Sequence, residues 1–111
     1  MMETKVYIPV ADIYERQQDY LLVAELPGVS KENLVIETEK DSLKIKGTPS
    51  SFFGEKKTVY REFEEDFYFE RSFLIGENIH KEKIKAKIEN GILQVVLPKS
   101  EEAKPKKIVI Q

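Results

Sequence analysis

Alternation with a period of two, cut at short intervals by turn residues, constrains this chain more than any other feature. Leu34, Ile36 and Thr38 alternate with Val35, Glu37 and Glu39. Leu43 and Ile45 alternate with Lys44 and Lys46, and Ile84, Ala86 and Ile88 alternate with Lys83, Lys85, Lys87 and Glu89. Successive side chains of a strand point to opposite faces, so each segment predicts a strand with one dry and one wet face. Leu93, Val95 and Leu97 repeat the pattern, and Pro98 ends it. Asp12 to Glu15 predicts a short strand, and Tyr20 to Leu26 is a nearly continuous apolar run. Phe67, Phe69, Phe73 and Ile75 share one face, with Arg71 among them, and Thr58 to Phe63 predicts one further strand.

The breaks have their own chemistry. Pro27-Gly28 stops a strand because proline cannot donate to a ladder and glycine accepts the positive φ of a turn. Lys40-Asp41-Ser42 predicts a turn, and Asn90-Gly91 predicts a hairpin whose type I′ turn needs positive φ twice. Ser30 to Asn33 predicts one helical turn with Ser30 at its N-cap, and Pro49 to Lys57 predicts a loop. Internal repeats and low-complexity stretches are absent. Seven to eight short strands joined by tight turns predict an all-β antiparallel sandwich.

Chemistry has little to work with. The 111 residues suit one domain able to bury a core. With no cysteine there is no disulfide framework, thiolate metal site or thiol nucleophile, and His80 is the single histidine, expected in an exposed loop. The five glycines form no phosphate-binding loop, and no serine sits in a G-x-S-x-G elbow. No cofactor or metal is expected, and an enzyme is the least favoured class. Lys and Arg total 18 against 20 Asp and Glu, a net charge of −2 that gives no long-range attraction to nucleic acid or anionic lipid. No apolar run approaches a membrane span and residues 1–5 lack a signal peptide's apolar stretch, so a cytoplasmic location is the expectation.

Three segments gain meaning together. They are Leu26-Pro27-Gly28-Val29, the run from Ala86 through Asn90-Gly91-Ile92-Leu93 to Pro98, and Ile108-Val109-Ile110 at the end of a charged segment. With Phe69, Arg71, Phe73 and Ile75 in an F-x-R-x-F-x-[LI] strand, they resemble the α-crystallin domain of small heat-shock proteins. The resemblance runs from about Pro9 to Ile110, and its motifs are specific in combination. It implies an immunoglobulin-like sandwich over residues 9–99, preceded by a short arm, 1–8, and followed by a mobile tail, 100–111. It also implies an ATP-independent holdase without cofactor. The implied partners are unfolding proteins and further copies of itself, as a dimer and a higher homo-oligomer. The same sandwich would also serve a CS-domain adaptor or a purely structural assembly module.

Ile108 and Ile110 are two apolar knobs that point the same way in an extended segment, and a tethered segment of this kind can add to a sheet edge. The resemblance implies a receiving groove between Leu34–Ile36 and Ile84–Ile88 of a neighbouring subunit; the alternative is a tail folded onto its own domain. It also implies that Thr58-Val59-Tyr60-Arg61 is exchanged between subunits to pair with the partner's strand near Asp12 and Tyr14, the alternative being an ordinary hairpin. Arg71, a charge in an apolar strand, is by resemblance at the dimer interface, or else it snorkels to water. Phe52 and Phe53 beside Gly54 are candidates for client contact, or else for core or dimer packing. Two features depart from the family pattern. The family carries a longer apolar N-terminal arm, whereas eight residues precede Pro9, and Gly76 replaces a proline, which predicts one loosened turn.

Overall fold

Residues 5–50 and 67–111 are described in the structure, a computed structural model. Their strands are β1 (Lys5–Tyr7), β2 (Ala11–Glu15), β3 (Asp19–Glu25), β4 (Leu34–Glu39), β5 (Ser42–Gly47), β6 (Phe67–Leu74), β7 (Lys85–Glu89) and β8 (Ile92–Pro98). They form two four-stranded sheets, ordered β1-β6-β5-β4 and β2-β3-β8-β7. Every pairing is antiparallel except that of β1 with β6. The strand and loop expected over 51–63 lie outside the described residues.

The core is built by the dry faces that the alternation marks. Leu22, Ala24 and Leu26 from β3 and its end meet Leu93, Val95 and Leu97 from β8, and all are buried. Leu43 and Ile45 of β5 close the core from the other sheet, while Lys44 and Lys46 between them are exposed. Val29, Phe73 and Ile79 complete the cluster. Sheet-on-sheet packing of this kind needs one apolar face per sheet, which a period of two supplies.

The turns hold registers. Lys40 takes a φ of 55° between β4 and β5, and Asn90 and Gly91 take 52° and 76° between β7 and β8. A Cβ on Gly91 would lie 3.2 Å from Pro27 Cα, and the Gly91 carbonyl accepts a 2.7 Å bond from the Leu26 N–H. The Asn90-Gly91 hairpin is thereby pressed against the Leu26-Pro27 corner, which joins two of the sequence motifs in space. The helical turn at Lys31–Asn33 has Ser30 at its N-cap position, but the serine side chain makes no capping bond.

Three local expectations need correction. Gly76 does not loosen its turn. It takes a φ of 76°, and its N–H and that of Ile75 both donate to the Asp41 carbonyl, at 3.1 and 2.7 Å. Proline can supply neither that φ nor that donor. His80 is half-buried rather than loosely exposed, because it starts the helical turn Lys81–Lys83 and its N–H donates to the Pro98 carbonyl at 2.8 Å. That turn also takes Lys83 out of the expected strand, so β7 begins at Lys85. In addition, residues 5–7 form a strand, running parallel to β6 with Lys5, Val6 and Tyr7 opposite Phe67, Tyr68 and Phe69. Three residues are too few for a periodic signal.

Two stability measurements follow from this packing. Ile45→Ala should cost about 2–5 kcal/mol in urea denaturation, while Lys44→Ala on the wet face should stay within about 0.5 kcal/mol. Gly76→Pro should destabilise by more than about 1 kcal/mol, since it forces a strained φ and removes a donor. A neutral or stabilising effect would show that the turn after β6 is not fixed as described.

Candidate assembly interface

Among the described residues the sandwich leaves four edge strands, each of distinct character. β4 and β7 end their sheets on the same side. Between them lies a groove of about 250 Å³ lined by Ile36, Thr38, Leu43, Lys81, Ile84 and Ala86. Its origin is local. The inward residues of an edge strand have no further strand to cover them, and Ala86 is too small to fill the gap. Ile84 and Ile88 are half-buried, but Ala86 between them is exposed.

Of the residues expected in a receiving groove, Ile36 and Ile84 line it together. Leu34 and Ile88 are not part of its lining; like Ile36 and Ile84, they pack, partly buried, against the core. Thr38 and Ala86 went unnoticed, although the two-residue step from Ile36 and from Ile84 points to them. Leu43 lies opposite Thr38 in the β4–β5 ladder. Lys81 comes from a helical turn and had no sequence signal.

The tail starts at a helical turn, Glu101–Ala103, held by Lys104 Nζ on Glu101 Oε1 at 2.9 Å. That hydrogen bond, and then the charge of Lys104, hold the Glu101 carboxyl below its ordinary pKa. Beyond it the chain is neither helix nor strand, and Ile108, Val109 and Ile110 are 85, 82 and 92% exposed. The tip is therefore not folded onto its own sheets.

On the opposite side, β2 pairs with β3 along one edge only, and no strand covers its other edge among the described residues. Asp12, Ile13 and Tyr14 are all exposed there. Ile13 opens onto a second cleft of about 180 Å³ with Tyr20, Leu74, Ile75, Ile79 and Leu97. The neighbouring edge belongs to β1, where Tyr7 meets Phe67 and Phe67 meets Phe69 edge to face, with centroids 5.0 and 5.5 Å apart. Val6, Tyr7, Ile8 and Val10 extend this apolar surface.

Arg71 is partly buried and faces inward beside Phe73, its guanidinium 4.8 Å from the ring centroid. One of its five donors reaches the Pro9 carbonyl at 3.0 Å. Arg71 therefore pins the hinge between β1 and β2. Lys99 escaped sequence reasoning altogether. It is 6% exposed, bonds Glu15 Oε2 at 2.9 Å and lies over the Tyr20 ring. Only the three-dimensional meeting of β2, β3 and the end of β8 could have revealed that pair. Thr58, Val59, Tyr60, Arg61, Phe52 and Phe53 fall outside the described residues.

Among the described residues, no group of three or more His, Asp or Glu side chains is placed to hold a metal ion. No helix among them is long and apolar enough to cross a membrane. What the surface offers is unpaired strand edges and apolar clefts.

Comparison with known proteins agrees with this architecture. The chain is 37% identical over 109 residues to small heat shock protein C2 of Rickettsia felis, covering 96% of this chain and 70% of that protein. It is 34% identical to a probable 15 kDa heat shock protein of Leptospira interrogans, covering 86% of this chain and 72% of the relative. Among solved structures, heat shock protein 16.0 from Schizosaccharomyces pombe superposes with a TM-score of 0.73 at 29% identity, over 95% of this chain and 76% of that one. AgsA from Salmonella typhimurium, in a C-terminally truncated form, gives 0.62 at 34% identity, over 94% of this chain and all of that one. The Hsp20/alpha crystallin family matches residues 12–111, from within β2 through the tail, and this chain belongs to that family.

Proposed function

We propose that this protein is an ATP-independent holdase. It would bind unfolding proteins on apolar grooves and edges that are uncovered when its own subunits separate. Family membership supports a chaperone role and homo-oligomers. The observation that carries the finer reading is the pairing, in one chain, of an unfilled apolar groove and an unattached apolar tail tip. Each is a surface that another copy can satisfy. Hydrophobic attraction is non-directional, so client choice would be broad.

The strength of the tail contact suits reversible use. Burying two isoleucine side chains gains roughly 3–6 kcal/mol before ordering costs. After those costs, a single contact has about millimolar strength, and only several contacts together hold an assembly. Such an assembly exchanges subunits continually. In the dimer, Thr58 to Arg61 of one subunit would cover the open β2 edge of the other at Asp12 and Tyr14, with Arg71 near the interface. The exposed β2 edge supports this, because an uncovered edge is otherwise an aggregation hazard.

Heat-aggregation of a model client, measured beside native mass, tests the reading. Suppression of aggregation without nucleotide, by a protein heavier than a monomer, is the expected result. A monomer that leaves aggregation unchanged would overturn it. Replacing Ile108 and Ile110 with Ala should shift the mass distribution downward while leaving far-UV circular dichroism intact. An unchanged distribution would remove the tail from assembly.

A further inference from the structure

The outer faces of the two sheets differ in kind. In the β1-β6-β5-β4 sheet, the outward residues Lys44 and Lys46 of β5 are exposed. Lys44 lies opposite Glu37 and 3.8 Å from a Glu70 carboxylate oxygen, and Lys46 stands over the Tyr68 ring. Paired charges and water satisfy that face. In the other sheet the central strands are β3 and β8, and their outward residues include Leu21, Val23, Gln94 and Val96, all half-buried. The ladders set them in two rows across the sheet. One runs from Tyr14 through Leu21 and Val96 to Lys85, and the next from Asp12 through Val23 and Gln94 to Lys87. Tyr14 is 52% exposed, and Asp12, Lys85 and Lys87 are exposed at the two edges. We propose that this face packs on the same face of a second copy, about a twofold axis that runs along the strands between β3 and β8.

A twofold contact must be complementary to itself. An axis along the strands keeps each row level and reverses the strand order. Leu21 then faces Val96 of the second copy, Tyr14 faces Lys85, and Asp12 faces Lys87. Apolar meets apolar, a cation meets an aromatic ring, and an acid meets a base. An axis across the strands keeps each strand on itself and exchanges the rows. It sets Lys85 against Lys87 and Tyr14 against Asp12, so the charges select the first axis. The next row holds Glu25, Ile92 and Glu89, whose acids bound the contact on that side. An unfolding protein brings no fixed charges to match Asp12 on one edge and Lys87 on the other, whereas this face supplies its own complement. The two rows cross four strands about 4.8 Å apart, a face of roughly 300 Å², below the about 800 Å² per partner of a standard interface. The contact is weak alone and counts beside others in an assembly. It uses a face, whereas the contacts proposed above use edges and a tail, so it can form beside either.

The absence of cysteine lets single thiols report on the axis. Full-length Asp12→Cys and Lys87→Cys chains, one carrying a mass tag, are mixed and treated with a short bismaleimide that spans the about 10 Å between packed sheets. Two copies of position 12, or of position 87, are set apart sideways by three strand spacings. The mixed 12–87 link should therefore form at least about tenfold faster than the 12–12 or 87–87 link. Neither exchange of residues 58–61 nor the tail contact by itself places position 12 beside position 87. Fast 12–12 and 87–87 links would show an axis across the strands and overturn the arrangement. Absence of all three links, the result if a client or another segment of this chain covers the face, would overturn the second copy as occupant. Leu21→Glu and, separately, Val96→Glu place a carboxylate at the centre of the contact. Each should slow the mixed link about tenfold with far-UV circular dichroism unchanged. A mixed link that neither folded variant slows would overturn the apolar row as its basis.

Discussion

The ladder between β3 and β8 is the constraint on which the rest of the molecule depends. It pairs seven residues of each strand, from Asp19 with Pro98 to Glu25 with Ile92. Its inward side chains, Leu22 and Ala24 against Leu93, Val95 and Leu97, are essentially removed from water. Both flanking strands, β2 and β7, hang on this pair, and the second sheet packs its β5 residues against it. Because β3 and β8 use both edges on neighbours, the edges of this sheet left unpaired among the described residues fall on β2 and β7. The central ladder gives the sandwich rigidity, and its limited width gives the molecule open edges.

What could be read before the structure follows the same division. The inward positions of β5 and β8 were legible, since a strand alternates strictly and in both the buried residues fall at every second position. The hairpin at Asn90-Gly91 was legible because positive φ at two consecutive positions restricts the residues that can occupy them. Features made by contact between distant segments were not. The burial of Lys99 needs Glu15 and Tyr20, which lie more than seventy positions away in the chain. The parallel pairing of β1 rests on three residues whose side chains are all exposed, so their pattern carries no dry face. The role of Gly76 depends on the Asp41 carbonyl, across the β4–β5 turn. The groove was legible by half. Residue type identified Ile36 and Ile84, but the small side chain of Ala86, which helps leave the volume open, attracted no attention.

Arg71 and Lys99 show how this small sandwich uses charge in its interior margins. Each cation sits beside an aromatic ring and reaches one acceptor, Pro9 for Arg71 and Glu15 for Lys99. Pro9 lies just before β2, and Glu15 is its last residue. Buried charges contribute little to stability compared with apolar replacements of the same shape, and they fix geometry instead. The two cations tie β2 and the segment before it to β6 and to the end of β8. That placement matters more than its energy, because β2 carries an edge left open among the described residues.

The edges that flank the groove present opposite problems. An apolar, uncharged edge on either strand would accept any extended chain, including a second copy of itself in the wrong register. The lysines on the outer face of β7 repel a basic guest and keep that edge in water. On β4, the acidic residues leave Val35 as the one apolar position of the outer face. A strand that also covered the outer face of β4 would need an apolar residue for Val35 and a cation for Glu37.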